Sequence, residues 1–248
     1  MSEGKIEYQF RCEGLELKPI KINLGLNAFP QLIINAIDTN IFRAIITTKQ
    51  IYSENDARKT TDQLINKIVE KLSFFLEKGA TKPIFISSSL PSESHDGGSC
   101  KRSISFPIFD GTCRVVSKPN DETLKQMISF LENQQIGNEL LIADFAHALN
   151  QRDPIANFML LYNLILQVSC DSQKKVDETI RKLDPNVIVI KVKRENNIGR
   201  EIEYEETIYT KLRNEIAHSR KGVMKENTIK DIRNNVSKFV GIVKKAIF

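Results

Sequence analysis

The sequence predicts an α+β protein in two parts: a β-rich domain with one long helix over residues 1–119, followed by an all-helical domain over residues 120–248. Three patterns predict it. Short runs of apolar and β-branched residues recur up to residue 48 with Gly, Pro and Asn between them. Over residues 53–79 the apolar period lengthens to three-to-four, and from Asn120 onward strand signals nearly vanish while helical ones repeat. A chain of 248 residues with 41% hydrophobic content suits one large domain or two ordinary ones, and it can bury a core without disulfides or metal.

In the first part, residues 8–11, 20–26, 32–37 and 41–48 read as strands. The helix over 53–79 carries Leu64, Ile65, Ile68, Val69, Leu72, Phe75 and Leu76 on one stripe. Ser53, with Asp56 three places on, suits its start, and Gly79 suits its stop. Residues 83–89 read as another strand and 90–100 as a polar loop. Residues 103–109 and 112–117 read as a hairpin turning at Asp110-Gly111.

In the second part, residues 121–134 and 138–150 are helical periods. Asp153-Pro154 supplies an N-cap and a first-turn proline for a helix bearing Phe158, Leu161, Tyr162, Ile165 and Val168. A fourth period covers 173–183 and ends at Asp184-Pro185. Residues 187–192 are β-like, and the charged stretch 193–206 reads as loop or as the solvated start of a helix. Helical character resumes over 207–218 and stops near Gly222. In the last helix Ile229, Ile232, Val236, Phe239, Val240, Val243 and Ile247 form one stripe, with Lys230, Arg233, Lys238, Lys244 and Lys245 mostly off it.

Charge and cysteine usage narrow the function classes. The net charge is +5, and residues 219–248 alone hold 8 Lys/Arg against 2 Asp/Glu, a block suited to a polyanion or simply to a solvated helix face. Cys12, Cys100, Cys113 and Cys170 are scattered, with only His95, His147 and His218 to join them, so reduced thiols are expected and no metal site. Phosphate-binding glycine loops and His-Glu-x-x-His are absent, which argues against nucleotide hydrolysis, hydride transfer and zinc proteolysis; no cofactor is expected. No signal peptide or membrane span is read, so a cytoplasmic protein without membrane contact is expected.

The stretch that carries chemistry is Arg213-Asn214-Glu215-Ile216-Ala217-His218. On a helix Asn214 and His218 are four apart and share a face, while Arg213 flanks them. An imidazole in the last turn before Gly222 meets the negative end of the helix dipole, which favours its protonated form. Arg213 can grip a phosphate with two hydrogen bonds, His218 can move a proton near neutrality, and Asn214 can orient the ring or bind a phosphate oxygen.

This motif resembles the Arg-x(4–6)-His signature of the HEPN superfamily, here with a four-residue spacer and Asn in second place. The context over 152–162 and 205–247 is similar to HEPN ribonuclease domains fused behind β-rich sensor domains in bacterial anti-phage defence proteins. The resemblance covers residues 121–248, and no family is recognised for residues 1–119. It implies a helical bundle and metal-independent RNA cleavage by 2′-hydroxyl attack, in phage defence or toxin-like growth control. Arg213, Asn214 and His218 would be catalytic, and Lys211, Arg220 and Lys221 would contact RNA. It also implies a homodimer in which two copies of the motif form one site, with an activating ligand or neutralising partner controlling it.

Other readings stand beside this one. Arg213 could pair with Glu205, Glu206 or Glu215, with His218 merely capping the helix. His95 with Asp96 and Cys100 reads as part of a solvated loop, and His147 as a packed or surface histidine. The second function class is a catalytically silent HEPN-like module that binds nucleotide or RNA, or dimerises. A DNA-binding regulator would place the basic last helix in a groove, but the regular stripe of that helix points to burial in a bundle.

Overall fold

The computed structural model describes residues 3–49, 53–90, 99–101, 117–133, 137–195, 201–217 and 225–248. Contacts divide the chain into two units, Met1–Gly137 and Asn138–Phe248. An antiparallel sheet and helices make up the first, and helices with one hairpin the second. Among the described residues no helix is long and apolar enough to cross a membrane.

The first unit is built on strands β1 (Gly4–Arg11), β2 (Ile20–Asn23), β3 (Gln31–Asp38), β4 (Ile41–Thr48), β5 (Ile84–Ser89) and β6 (Ser99–Lys101). Their order in the sheet is β2-β3-β4-β1-β5-β6, and every neighbouring pair is antiparallel. The period-two pattern sets the register: Ile6 faces Ile46, Tyr8 faces Ala44 and Phe10 faces Phe42, and all six side chains are buried. A one-residue slip would send this set to the solvent face. At the β3–β4 turn Asn40 holds a left-handed φ of 65°, and its side-chain oxygen accepts from the Gly14 amide at 2.7 Å. Strand β6 includes Ser99 and Cys100, which read as loop in the sequence. The expected hairpin at 103–117 lies outside the described residues, Ser117 excepted, as do His95 and Cys113.

Helix α1 (Glu54–Leu76) begins as its sequence predicts, with Ser53 Oγ accepting from the Asp56 amide. It ends three residues before Gly79, because Glu77 itself takes the left-handed conformation and sends its amide back to the Phe74 carbonyl. Ala57, Ile65, Ile68, Val69 and Leu72 join the sheet residues in one core. Tyr8 ties helix to sheet: its hydroxyl donates to Asp62 Oδ1 at 2.6 Å and lies 2.7 Å from Thr61 Oγ1, and burial pushes its phenol pKa upward. Tyr8→Phe is expected to lower stability by about 1–2 kcal/mol, measurable as an earlier unfolding midpoint in urea. Cys12 is also buried here, a free thiol pushed up to about 12 by loss of solvation and therefore unreactive.

Helix α2 (Asp121–Glu132) corrects the expected boundary. The sequence grouped it with the helical domain, yet Met127 and Leu131 belong to the first core. Phe130 lies 6.0 Å from the Phe74 ring and 5.7 Å from the Phe75 ring, and Glu132 Oε1 accepts from the Asn23 amide at 2.8 Å. The unit therefore ends at Gly137 rather than Pro119. A helical period does not say which core its apolar stripe will cover.

The second unit comprises α3 (Glu139–Leu149), α4 (Pro154–Val168), α5 (Gln173–Leu183), β7 (Val189–Glu195), β8 (Glu201–Thr207), α6 (Ile208–Ala217) and α7 (Lys225–Ile247). Asp153 caps α4 through both carboxylate oxygens, with Pro154 in the first turn. Phe239 of α7 sits at the centre, fully buried, 4.4 Å from the Tyr209 ring and 5.3 Å from the Phe158 ring. Ile232, Val243 and Ile247 extend the same buried stripe, while Lys230, Arg233, Lys238 and Lys245 are exposed. His147 lies exposed on α3.

The expectation of an all-helical second domain is corrected by the β7–β8 hairpin. Its charged residues read as loop or helix start because charge dominates the segment, yet they alternate. Lys191 pairs with Glu203 at 3.0 Å and Lys193 with Glu201 at 3.2 Å, diagonally across a register that sets Lys193 opposite Glu203. Exposed pairs of this kind add little stability, but they specify the pairing.

Candidate functional site

Helix α6 carries the Arg-Asn motif, and its position is set by a buried carboxylate. Asp177 of α5 is 7% exposed. Its Oδ1 accepts from the Thr207 amide at 2.9 Å, from the Thr207 hydroxyl at 2.7 Å and from the Thr210 hydroxyl at 2.7 Å. Thr207, the last residue of β8, is also the cap of α6, since its Oγ1 accepts from the Thr210 amide at 3.3 Å. The Tyr162 hydroxyl of α4 lies 3.0 Å from Thr210 Oγ1, and burial pushes the Tyr162 phenol pKa upward. Strand β8, α4, α5 and α6 thus meet at one set of hydrogen bonds.

One turn further along α6, Asn214 is 3% exposed and both ends of its amide are engaged. Its Oδ1 accepts from Gln173 Nε2 at 2.9 Å and from Arg213 Nη1 at 3.2 Å. Its Nδ2 donates to the Glu206 carboxylate at 3.3 Å. Arg213 is half-buried, with its guanidinium carbon 5.9 Å from the Tyr162 ring centre. Its Nε has no hydrogen-bond partner among the described residues.

Of the residues singled out in the sequence, the structure brings Arg213 and Asn214 into direct contact. Lys211 instead forms an ion pair with Glu215 at 3.3 Å, and Thr228 of α7 donates to the other Glu215 oxygen at 3.0 Å. His218, Arg220 and Lys221 lie outside the described residues. The carboxylates proposed as structural partners for Arg213 are engaged elsewhere: Glu205 pairs with Arg181 at 3.5 Å, Glu215 with Lys211, and Glu206 with Asn214. Among the described residues no group of His, Cys, Asp and Glu has the arrangement of a metal site.

Sequence reasoning missed Asp177, Gln173 and Tyr162 as supports of the motif, and it set Glu206 beside Arg213 where the structure sets it beside Asn214. Thr207 and Thr210, three apart at a helix start, are the one local signal that a capping arrangement lies there. Asp177 gives none, because a carboxylate on a charged helix looks the same in sequence whether buried or solvated.

A scan of family models, a search of curated proteins and a search of solved structures each returned no match to this chain. The functional reading therefore rests on the motif and its surroundings.

Proposed function

We propose that this chain is a metal-independent endoribonuclease of HEPN type, acting in phage defence or toxin-like growth control. The observation that carries the proposal is the pairing of Arg213 and Asn214 on α6, with the Arg213 guanidinium half-buried beside the Tyr162 ring. A guanidinium held this way keeps donors for a phosphate, and its partly desolvated setting strengthens that interaction. In the reaction the ribose 2′-oxygen loses its proton to a base and attacks the adjacent phosphorus. The bond to the 5′-oxygen breaks, that oxygen takes a proton, and a 2′,3′-cyclic phosphate and a 5′-hydroxyl remain. His218, four residues beyond Asn214, is the proposed proton carrier.

One imidazole cannot serve as base and acid at the same moment, so a two-fold homodimer with a composite site is part of the proposal. Lys211, Arg220 and Lys221 would contact the RNA backbone, and the first unit would answer to an activating ligand or neutralising partner. The proposed setting is the cytoplasm.

One observation favours the second reading, a HEPN-like module that binds nucleotide or RNA, or dimerises, without cutting. Asn214 is buried with its whole amide engaged, which leaves it a supporting part instead of a phosphate ligand. The two readings separate in one experiment. Purified protein is incubated with end-labelled RNA in excess EDTA, beside Arg213→Ala, His218→Ala and an equimolar mixture of the two variants. Cleavage by wild type leaving cyclic phosphate ends, lost in either variant, is the expected result. Partial recovery in the mixture would mark the composite site. A wild type that binds RNA and never cuts it would move the protein to the second reading, and a fully active monomer would remove the dimer from the proposal.

A further inference from the structure

Behind the motif lies a buried carboxylate that the proposed reaction does not use. Glu206 of β8 is 6% exposed and Asn214 of α6 is 3% exposed. The two Glu206 oxygens accept from Asn214 Nδ2 at 3.4 Å and 3.3 Å. On the other side Asn214 Oδ1 accepts from Gln173 Nε2 at 2.9 Å and from Arg213 Nη1 at 3.2 Å. A carboxylate can only accept and a guanidinium can only donate. Turning the Asn214 amide over would set its oxygen against the carboxylate and its NH2 group against the guanidinium. Both contacts would be repulsive, in a place that water does not screen. Asn214 therefore keeps one orientation, and Glu206 dictates it from one end.

That orientation decides how Arg213 is held. A carboxylate placed directly on the guanidinium would claim two of its donors in a fork and cancel its charge. Asn214 stands between Glu206 and Arg213 and offers a neutral oxygen instead, which takes a single hydrogen bond and leaves the charge. The guanidinium is thus fixed at one edge, with its carbon 5.9 Å from the Tyr162 ring centre. We infer that Glu206 is a positioning residue for Arg213, acting through the Asn214 amide, an inference that rests on the ribonuclease reading of the Arg213 motif. A brace for the fold needs no carboxylate at this place. Glutamine has nearly the same size and can bond to Asn214 in either orientation of the amide. Only a carboxylate excludes the orientation that would turn the Asn214 NH2 group toward Arg213.

Glu206→Gln is the test, because it keeps the volume and a hydrogen bond to Asn214 while removing the constraint. The first measurement needs no RNA. The Arg213 Nε–H signal in the heteronuclear NMR spectrum of the full chain, assigned by its loss in Arg213→Lys, is expected to move or split in Glu206→Gln. The second measurement is RNA cleavage. In Glu206→Gln kcat is expected to fall about tenfold with KM within about twofold, because a misplaced guanidinium costs transition-state stabilisation and not ground-state binding. The unfolding midpoint should stay in place. Added to Arg213→Lys, the same substitution should cost less than about twofold more, since it acts through the group already changed. An unmoved Arg213 signal would overturn the inference. So would a lower KM with full kcat, the mark of a bystander carboxylate that merely repels RNA. A midpoint that drops in step with kcat, or an undiminished loss in the Arg213→Lys background, would overturn it too. The two measurements separate this inference from the one beneath it. A moved Arg213 signal in a chain that cuts no RNA keeps the coupling of Glu206 to Arg213 and removes the nuclease. An unmoved signal and unchanged kcat in a chain that cuts RNA keep the nuclease and remove the coupling.

Discussion

Arg213→Ala is expected to reduce RNA cleavage by about 10²–10³-fold, the usual loss when one donor to a developing negative charge is removed, while leaving the protein folded. The expectation follows from how Arg213 is held. Among the described residues its polar contacts are one hydrogen bond to Asn214 Oδ1 at 3.2 Å and the approach to the Tyr162 ring at 5.9 Å. A cation near an aromatic ring contributes about 0.5–2 kcal/mol, so the unfolding midpoint should move only slightly. Arg213→Lys keeps the charge without the two-pronged donor geometry, and it is expected to recover only a small part of the activity. The pair of measurements distinguishes roles: a residue that merely braces the fold would lose stability and activity together, in step. If both variants unfold markedly early while the residual folded fraction cuts RNA at the normal rate, Arg213 is a structural residue and the proposed site is wrong.

The second large effect concerns stability. Asp177→Ala is expected to destabilise the second unit by roughly 3–5 kcal/mol, comparable to breaking a buried charged pair, because three donors lose their acceptor at once: the Thr207 amide and the hydroxyls of Thr207 and Thr210. Asp177→Asn keeps one acceptor oxygen in place but weakens every bond to it by removing the charge, and the expected loss is about 1–2 kcal/mol. Hydrogen exchange reads this locally. Amides at the start of α6, with Thr207 and Thr210 foremost, should lose protection in Asp177→Ala before those in the sheet of the first unit. Uniform loss across both units would mean that Asp177 does not anchor α6 in particular. Since α6 carries Arg213 and Asn214, the alanine variant should also lose any activity those residues support.

Local patterns in the sequence carried a large share of the fold. The alternation through Ile6, Tyr8 and Phe10 and through Phe42, Ala44 and Ile46 specifies strands whose register follows once one face must be buried. Ser53 and Asp153 mark helix starts because capping is decided by a residue and its next few neighbours. The stripe on α7 is legible for the same reason, since a three-to-four period over 23 residues leaves little room for another conformation. Where the sequence misled, the deciding energy was not local. Helix α2 reads as the first helix of a new domain, yet Met127 and Leu131 complete the core of the sheet. Residues 193–206 read as loop or helix start, yet Lys191, Lys193, Glu201 and Glu203 are paired across two strands.

The candidate site divides along the same line. Arg213 and Asn214 are neighbours in sequence and on a helix, so their association, and the spacing to His218, was determined by the sequence alone. What holds them was decided only by tertiary structure. Asp177 and Gln173 lie 30 or more residues from their partners, on a different helix, and nothing in their own surroundings marks them. The physical reason is the difference between a propensity and an environment. Caps, periods and spacings are properties of a few consecutive residues, whereas the burial that turns an ordinary aspartate into the anchor of a helix exists only after distant segments have closed around it.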